Sequence, residues 1–237
     1  MRKLLVFLIV LLVLVVGVDI AGRAIAESKA GEAIANQGDI SPAPDVNIHG
    51  FSFLWQAVGG DYAHITLSSQ GLTAGKLVGI NATADLYDVK LAISDAVSGN
   101  VDDLTAARAD LTAAIPAAAL SSAIGGGTLR VSAGAAGALR VSTTVGAGGQ
   151  TLPVTVDVKP TVTNNVLHLA GAKLVDGPAA VPSALVSSLV KRLTLDLPLT
   201  ELPFPLRSAS ALVLNNTLVV TGRVDNLKIG EILKAAG

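Results

Sequence analysis

The amino-acid sequence predicts an α+β fold, in which a long, curved, mostly antiparallel sheet packs against a few helices. The first observation is that apolar and polar residues alternate along Tyr62–Ser68, Ile80–Leu91 and Thr105–Ala113. A period of two is typical of strands that bury one face. The second is that two short motifs recur at spacings suited to β-hairpins, and the third is that only a few segments have helical periodicity.

The N-terminus carries an export signal. Two basic residues precede the unbroken apolar run Leu4–Val18, which Asp19 ends. A small-x-small sequence ending at Ala26 is typical of a cleavage site, while the length of the run also suits an uncleaved anchor. We therefore expect residues 1–26 to be a signal peptide or an N-terminal membrane anchor, and residues 27–237 to be a single exported domain.

A helix is predicted over Asp19–Asn36, because its apolar residues share one face. The proline-containing stretch Ser41–Pro44 then ends the helix and forms an extended connection. A short strand follows at Val46–Ile48. Gly59 and Gly60 are expected to end a helical turn that begins after Gly50.

The stretch Val46–Tyr62 holds most of the aromatic side chains of the chain, which has only four Phe, two Tyr and one Trp. Phe51, Phe53, Trp55 and Tyr62 all lie in it. Because each buries about 150–250 Å², the segment is either a wedge that closes one end of the core or a contact with lipid.

The second half of the chain is predicted to contain hairpins and two helices. Pro116 suits the start of a helix over Ala117–Ile124. The motifs GTLRVS (127–132) and GALRVS (137–142) suit one hairpin, and Asn-Asn pairs inside 162–167 and 213–218 suit two more, since Asn tolerates positive φ. Pro182–Leu193 is predicted to be an amphipathic helix. Leu195–Leu206 is rich in proline and is predicted to be an edge strand or a crossover.

Composition and charge argue against several classes of function. Hydrophobic residues make up 51% of the chain, charged residues 15%, and cysteine is absent, which excludes disulfides and thiolate chemistry. Residues 1–26 hold three of the 17 basic and one of the 18 acidic residues, so the remaining chain has a net charge of −3. A chain with no basic cluster is not expected to bind nucleic acid.

No catalytic or metal-binding motif is present in the sequence. His49, His64 and His168 are isolated and lack metal-ligand spacing. The glycine after Ser52 that a nucleophile elbow requires is missing. The glycine-rich stretches contain neither a phosphate-loop lysine nor a dinucleotide fingerprint. We therefore expect no enzyme, no cofactor and no metal site.

Several motifs together resemble one protein family. The stretch Ile48–Leu54 (IHGFSFL), followed by Gly59-Gly60, resembles a "GFPFL…G" signature. Leu197–Phe204 (LPLTELPF) and the valine-rich hairpin after it resemble the C-terminal "LPfglrl…G" block, and Thr112–Leu120 resembles a weaker middle block. Together with the apolar N-terminus and Glu27, these motifs are similar to those of the LmeA-like phospholipid-binding proteins of the actinobacterial cell envelope. This sequence has Ser52 where the family usually has proline, and Pro205 where it often has glycine.

The resemblance implies a tubular lipid-binding (BPI-like) fold, in which a curved sheet wraps a helix around an apolar tunnel. It implies non-enzymatic binding or carriage of phospholipid-like ligands at the outer face of the cytoplasmic membrane, in support of envelope lipid or lipoglycan maintenance. Envelope glycosyltransferases are candidate partners. The alternative is an accessory protein that stabilises membrane-associated enzymes without carrying lipid. The expected lipid-binding residues are Ile48, Phe51, Phe53, Leu54, Trp55, Val58, Leu185, Leu189, Leu202, Phe204 and Leu206.

Overall fold

The computed structural model describes residues 2–38, 41–74, 77–98, 100, 102–125, 129–147, 150–163, 166–176, 195–198 and 208–228. Within them the helices are α1 (Arg2–Gly38), α2 (Phe53–Gly59), α3 (Ile93–Ser98) and α4 (Ala117–Gly125), with a 3-10 turn at Ala135–Gly137.

The helical predictions that fall on described residues are confirmed. The predicted helix over Asp19–Asn36 lies within the longer helix α1, which continues without interruption through Ala26. The aromatic helical turn is α2, and the helix after Pro116 is α4. The predicted helix Pro182–Leu193 lies outside the described residues.

The described strands form two sheets. The first is six-stranded in the order β1-β2-β3-β4-β11-β10, and the second is five-stranded in the order β5-β6-β7-β8-β9. All of the described strand registers are antiparallel. The α+β prediction with large, curved antiparallel sheets is thereby confirmed. The strands are β1 (Asp45–His49), β2 (Asp61–Ala74), β3 (Leu77–Lys90), β4 (Thr105–Pro116), β5 (Arg130–Ala133), β6 (Leu139–Ala147), β7 (Gln150–Thr163), β8 (Val166–Asp176), β9 (Leu195–Pro198), β10 (Ser208–Leu214) and β11 (Thr217–Lys228).

The recurring sequence motifs form hairpins, as predicted. Arg130 pairs with Ser142 in the β5–β6 hairpin. Val213 pairs with Leu218 in the β10–β11 hairpin, and its turn residues Asn215 and Asn216 have φ of 46° and 64°. Asparagine tolerates this left-handed backbone better than most residues, so it suits the turn. Strands β7 and β8 also pair as predicted, although the Asn-Asn pair between them lies outside the described residues.

The proline-rich segment Leu195–Leu206 is described only at its start. Leu195–Pro198 forms β9, which lies at the edge of the second sheet among the described strands, in agreement with one of the two predicted alternatives. Proline at an edge strand removes a donor that no neighbouring strand needs. Residues 199–207 lie outside the described part.

The chain divides into two compact units. Unit 1 comprises Met1–Ser69, Thr83–Ala109 and Asp225–Gly237, and unit 2 comprises Gln70–Ala82 and Asp110–Val224. Unit 2 has an aliphatic core between α4 and strands of both sheets, since its buried members are Ala117, Leu120, Val131, Leu139, Val141, Val154, Val156, Val158, Leu167, Leu169, Val213 and Leu218. The buried apolar residues of unit 1 include Ile34, Val46, Ile48, Phe53, Ala57, Tyr62, Ile65, Leu86, Val89, Leu104, Ala106, Ala109 and Leu227.

Across the part of the chain that the structure describes, no helix is both long enough and apolar enough to cross a membrane. The side chains of residues 2–11, which include about half of the predicted apolar run Leu4–Val18, lie outside the described part.

Candidate lipid-binding surfaces

The helix α2 is built by its flanking residues. Ser52 lies just before it with extended backbone, and its hydroxyl accepts a hydrogen bond from the Trp55 backbone N–H at 3.3 Å. Such a serine satisfies a donor that the first helical turn leaves without a partner. Gly60 ends the helix in the left-handed region, with φ of 69°. A Cβ there would lie 3.1 Å from the Leu91 carbonyl oxygen, so both backbone angle and space favour glycine.

Asp19 of α1 holds the start of α2. Its Oδ1 accepts hydrogen bonds of 2.8 Å from both the Leu54 backbone N–H and the Ser52 hydroxyl, and its Oδ2 accepts one of 3.2 Å from the Phe53 backbone N–H. These donors, the Leu54 N–H above all, hold the pKa of Asp19 below its usual value. Sequence analysis predicted only that Asp19 ends the apolar run and begins a helix, and it missed this contact.

Two further residues of α1 hold the strand before α2. The Arg23 guanidinium donates to the Gly50 carbonyl oxygen at 3.0 Å, and Glu27 Oε1 accepts from the Ile48 backbone N–H at 2.7 Å. Asp19, Arg23 and Glu27 recur every four residues, so they lie on one face of α1. This face fixes the aromatic segment to the helix.

The predicted site residues of the aromatic segment divide into two groups. Ile48 and Phe53 are buried, and Leu54 is half-buried. Phe51, Trp55 and Val58 are 104%, 83% and 78% exposed. Phe53 and Tyr62 belong to the core of unit 1, whereas Phe51, Trp55 and Val58 face outward, and their contact with lipid stays a prediction. The remaining predicted residues, Leu185, Leu189, Leu202, Phe204 and Leu206, lie outside the described part.

The interpretation of the histidines as isolated is wrong for two of them. His49 and His64 face each other across the β1–β2 register, with ring centroids 4.3 Å apart. His64 also stacks on Tyr87 of β3 at 4.6 Å, and the Arg108 guanidinium of β4 lies 4.0 Å above the Tyr87 ring. The stack thus crosses four neighbouring strands. Spacing along the chain does not show such an encounter, because an antiparallel register brings distant residues together.

Hydrogen bonds hold this histidine stack in place. Asp85 Oδ1 is 3.0 Å from His64 Nε2 and accepts from the Thr66 hydroxyl at 2.7 Å, while His49 Nε2 is 2.9 Å from that hydroxyl. Burial raises the pKa of Asp85, but the bonds from Thr66 and His64 and the nearby histidine charges outweigh it and lower the pKa overall. Because the Thr66 proton is directed at the carboxylate, the arrangement suits a structural brace between strands.

Unit 2 has an apolar sheet face that its own side chains only partly cover. In the β10–β11 hairpin, the pair Val213–Leu218 is buried, but the successive same-face pairs Ala211–Val220 and Ala209–Gly222 are only half-buried. Side chains thus become smaller and more accessible along one face of the hairpin. This gradient leaves an apolar surface that another apolar group can cover.

The neighbouring strand β4 continues this apolar face. Ile115 packs against the core of unit 2. Ala113 and Leu111, which follow on the same face at intervals of two residues, are half-buried. We call Leu111, Ala113, Ala209, Ala211, Val220 and Gly222 the apolar face of unit 2.

An open cavity of about 380 Å³ lies at the hairpin, and polar side chains of Asp110, Ser210, Thr221 and Arg223 line it together with Leu111, Ala209 and Gly222 of the apolar face. There Arg223 Nε donates to Asp110 Oδ1 at 2.7 Å, and the hydroxyls of Ser210 and Thr221 are 2.7 Å apart. The lining therefore combines hydrogen-bonding groups with apolar ones. Among the described residues, no group of three or more His, Asp or Glu side chains is placed to hold a metal ion.

The antiparallel sheets and helices define an α+β protein whose fold is consistent with tubular lipid-binding domains. The sequence model of the LmeA-like phospholipid-binding family matches residues 17–223. Because this match covers most of the chain, the protein belongs to that family, and the resemblance in its motifs is confirmed. No significant match is found among curated proteins or among solved structures.

Proposed function

We propose that the protein binds and carries phospholipid-like ligands in an apolar tunnel, without catalysing a reaction, at the outer face of the cytoplasmic membrane. The observation that carries the proposal is membership of a phospholipid-binding family over residues 17–223. In this role the protein supports envelope lipid or lipoglycan maintenance, and membrane-bound glycosyltransferases are candidate users of the lipid.

The apolar face of unit 2 supports this proposal physically. Ala209, Ala211 and Gly222 are small, so acyl chains can approach the strands closely. Each methylene group moved from water into an apolar site contributes about 0.8 kcal/mol. A tunnel can therefore hold a lipid through its chains alone, which suits a protein with a formal net charge of only −1.

Filling the apolar face tests the proposal. Ala209→Phe places a large ring on the half-buried apolar face, and we expect it to reduce the uptake of fluorescent-acyl phosphatidylglycerol from vesicles several-fold. The matched control is Ser210→Phe, the next residue of β10, whose exposed side chain points to the opposite face of the strand. It should take up lipid as the wild type does.

The outcomes separate a carrier from an accessory protein. Loss of uptake in Ala209→Phe alone, with both variants melting as the wild type does, supports lipid binding on this face. A wild-type protein that removes no lipid from vesicles contradicts the proposal and favours the accessory role. Equal uptake by both variants and the wild type contradicts the assignment to this face.

A further inference from the structure

Large apolar side chains of α1 are exposed on every side of the helix. The large apolar side chains between residues 12 and 20 are 48–65% exposed. Since they occupy nearly consecutive positions of a helix, they point in all directions around its axis. A helix that is apolar all round belongs in a protein core or in lipid. The exposed residues are Leu12, Val13, Leu14, Val15, Val16, Val18 and Ile20.

A second exposed apolar group lies at the end of this stretch. Asp19 binds the first turn of α2, and a Cβ added to Gly22 would lie 3.4 Å from the Phe53 ring, so α2 is seated against α1 at this level. From there α2 and the residues before it direct Phe51, Trp55 and Val58 outward.

We propose that helix α1 is retained in the mature protein and that it forms, with Phe51, Trp55 and Val58, a docking surface for the lipid bilayer. The apolar stretch of α1 lies in the hydrocarbon region, and the three side chains of the aromatic segment lie at the interface. The occupant of this surface is the outer leaflet of the membrane.

The distribution of residues favours lipid over a partner protein. A partner helix would cover one stripe of α1, whereas the exposure between residues 12 and 20 has no preferred side. Tryptophan is enriched where hydrocarbon meets water, because its ring is apolar and its N–H is polar. Arg2 and Lys3 precede the apolar run, as cationic residues do on the cytoplasmic side of exported proteins.

The contacts of α1 favour retention over cleavage. Cleavage after Ala26 would remove Asp19 and Arg23, which supply four of the five hydrogen bonds from α1 to residues 48–54. The hydroxyl of Ser52 and the backbone N–H groups of Phe53 and Leu54 would then lose the Asp19 carboxylate that accepts their hydrogen bonds. The family match begins at residue 17 and so includes both side chains.

Retention is tested on the protein as cells make it. The full chain is expressed in an actinobacterial host, the membrane and soluble fractions are separated, and the intact mass and N-terminal sequence are determined. We expect a membrane-bound chain that still contains Asp19 and Arg23. A mature chain that begins at residue 27 or nearby overturns the proposal.

Docking is tested with the single tryptophan as a depth probe. The full chain is placed in vesicles of phosphatidylglycerol and phosphatidylethanolamine that contain phosphatidylcholine brominated near either the headgroup end or the methyl end of its acyl chains. We expect Trp55 emission to be quenched at least twofold more by bromines near the headgroup. Emission that neither bromolipid quenches overturns the docking surface, even if α1 is retained.

Two exposed apolar side chains provide the matched variants. The double variant Phe51→Ser/Val58→Ser should reduce the quenching of Trp55 at least twofold, because the segment loses its apolar neighbours. The control Leu214→Ser removes an apolar side chain that is 56% exposed at the end of β10, and it should leave quenching unchanged. Equal quenching in all three proteins overturns the role of Phe51 and Val58.

The proposal shares the membrane location with the proposed function but needs no lipid tunnel. A protein that takes up no lipid can therefore still show the retention of α1 and the quenching of Trp55.

Discussion

Asp19 accepts a 2.8 Å hydrogen bond from the Leu54 backbone N–H and thereby joins the end of the apolar N-terminal run to the aromatic segment. The first turn of α2 leaves several N–H groups without partners inside the helix, and a carboxylate from another helix satisfies two of them, at Phe53 and Leu54. The geometry of the aromatic segment thus depends on a residue more than 30 positions earlier.

The first prediction concerns the pH dependence of this contact. Because the folded pKa of Asp19 lies below its usual 3.8, ionised Asp19 stabilises the folded state above that pH, and the contribution is lost as pH falls through the lower folded pKa. Asp19→Asn should therefore melt below the wild type at neutral pH, and the difference should shrink below pH 3.8. Thermal melts of both proteins over a pH series check this, with Glu32→Gln, an exposed carboxylate on the same helix, as the control. A melting difference that is constant with pH would contradict it.

The second prediction concerns close packing on α1. A Cβ at Gly31 would lie 2.6 Å from the Pro44 carbonyl oxygen, so Gly31→Ala must push the backbone apart and should destabilise the protein by about 1–3 kcal/mol. Gly17→Ala is the matched control in the same helix, because nothing lies within 4 Å of its added Cβ. At position 17 alanine favours the helix over glycine by about 0.5–1 kcal/mol, so this control should be at least as stable as the wild type. Chemical denaturation in detergent measures both, and equal stabilities would show that the helix does not approach Pro44 closely.

The third prediction separates the two turn asparagines of the β10–β11 hairpin. Asn216 Oδ1 accepts from the Ala133 backbone N–H at 2.8 Å, whereas both asparagines share a positive φ. Glycine keeps the backbone geometry, so Asn216→Gly should lose that hydrogen bond and be less stable than Asn215→Gly by about 1 kcal/mol. Denaturant melts of the two variants give the difference. If Asn215→Gly proves the less stable, the hydrogen bond between Asn216 and the Ala133 backbone does not contribute measurably to stability.

Local signals in the sequence predicted most of the described elements, although not α3, while contacts between distant residues were missed. The Asn215-Asn216 turn and the glycine end of α2 depend on backbone preferences of single residues, and these can be read from the chain. The roles of Asp19 and of the His49–His64 pair depend on how separate elements meet, which hydrophobic periodicity does not encode. The apolar face of unit 2 was likewise not predicted from hydrophobic periodicity. Its position became clear from the register that pairs Ala209 with Gly222.

Native mass spectrometry of the full chain, released from membranes in mild detergent, tests the central claim of lipid binding most directly. A carrier should leave the membrane with one or two diacyl phospholipids in stoichiometric amount, and Ala209→Phe should retain less of them than Ser210→Phe. Spectra that show only lipid-free protein, together with no uptake of lipid from vesicles, would contradict the account.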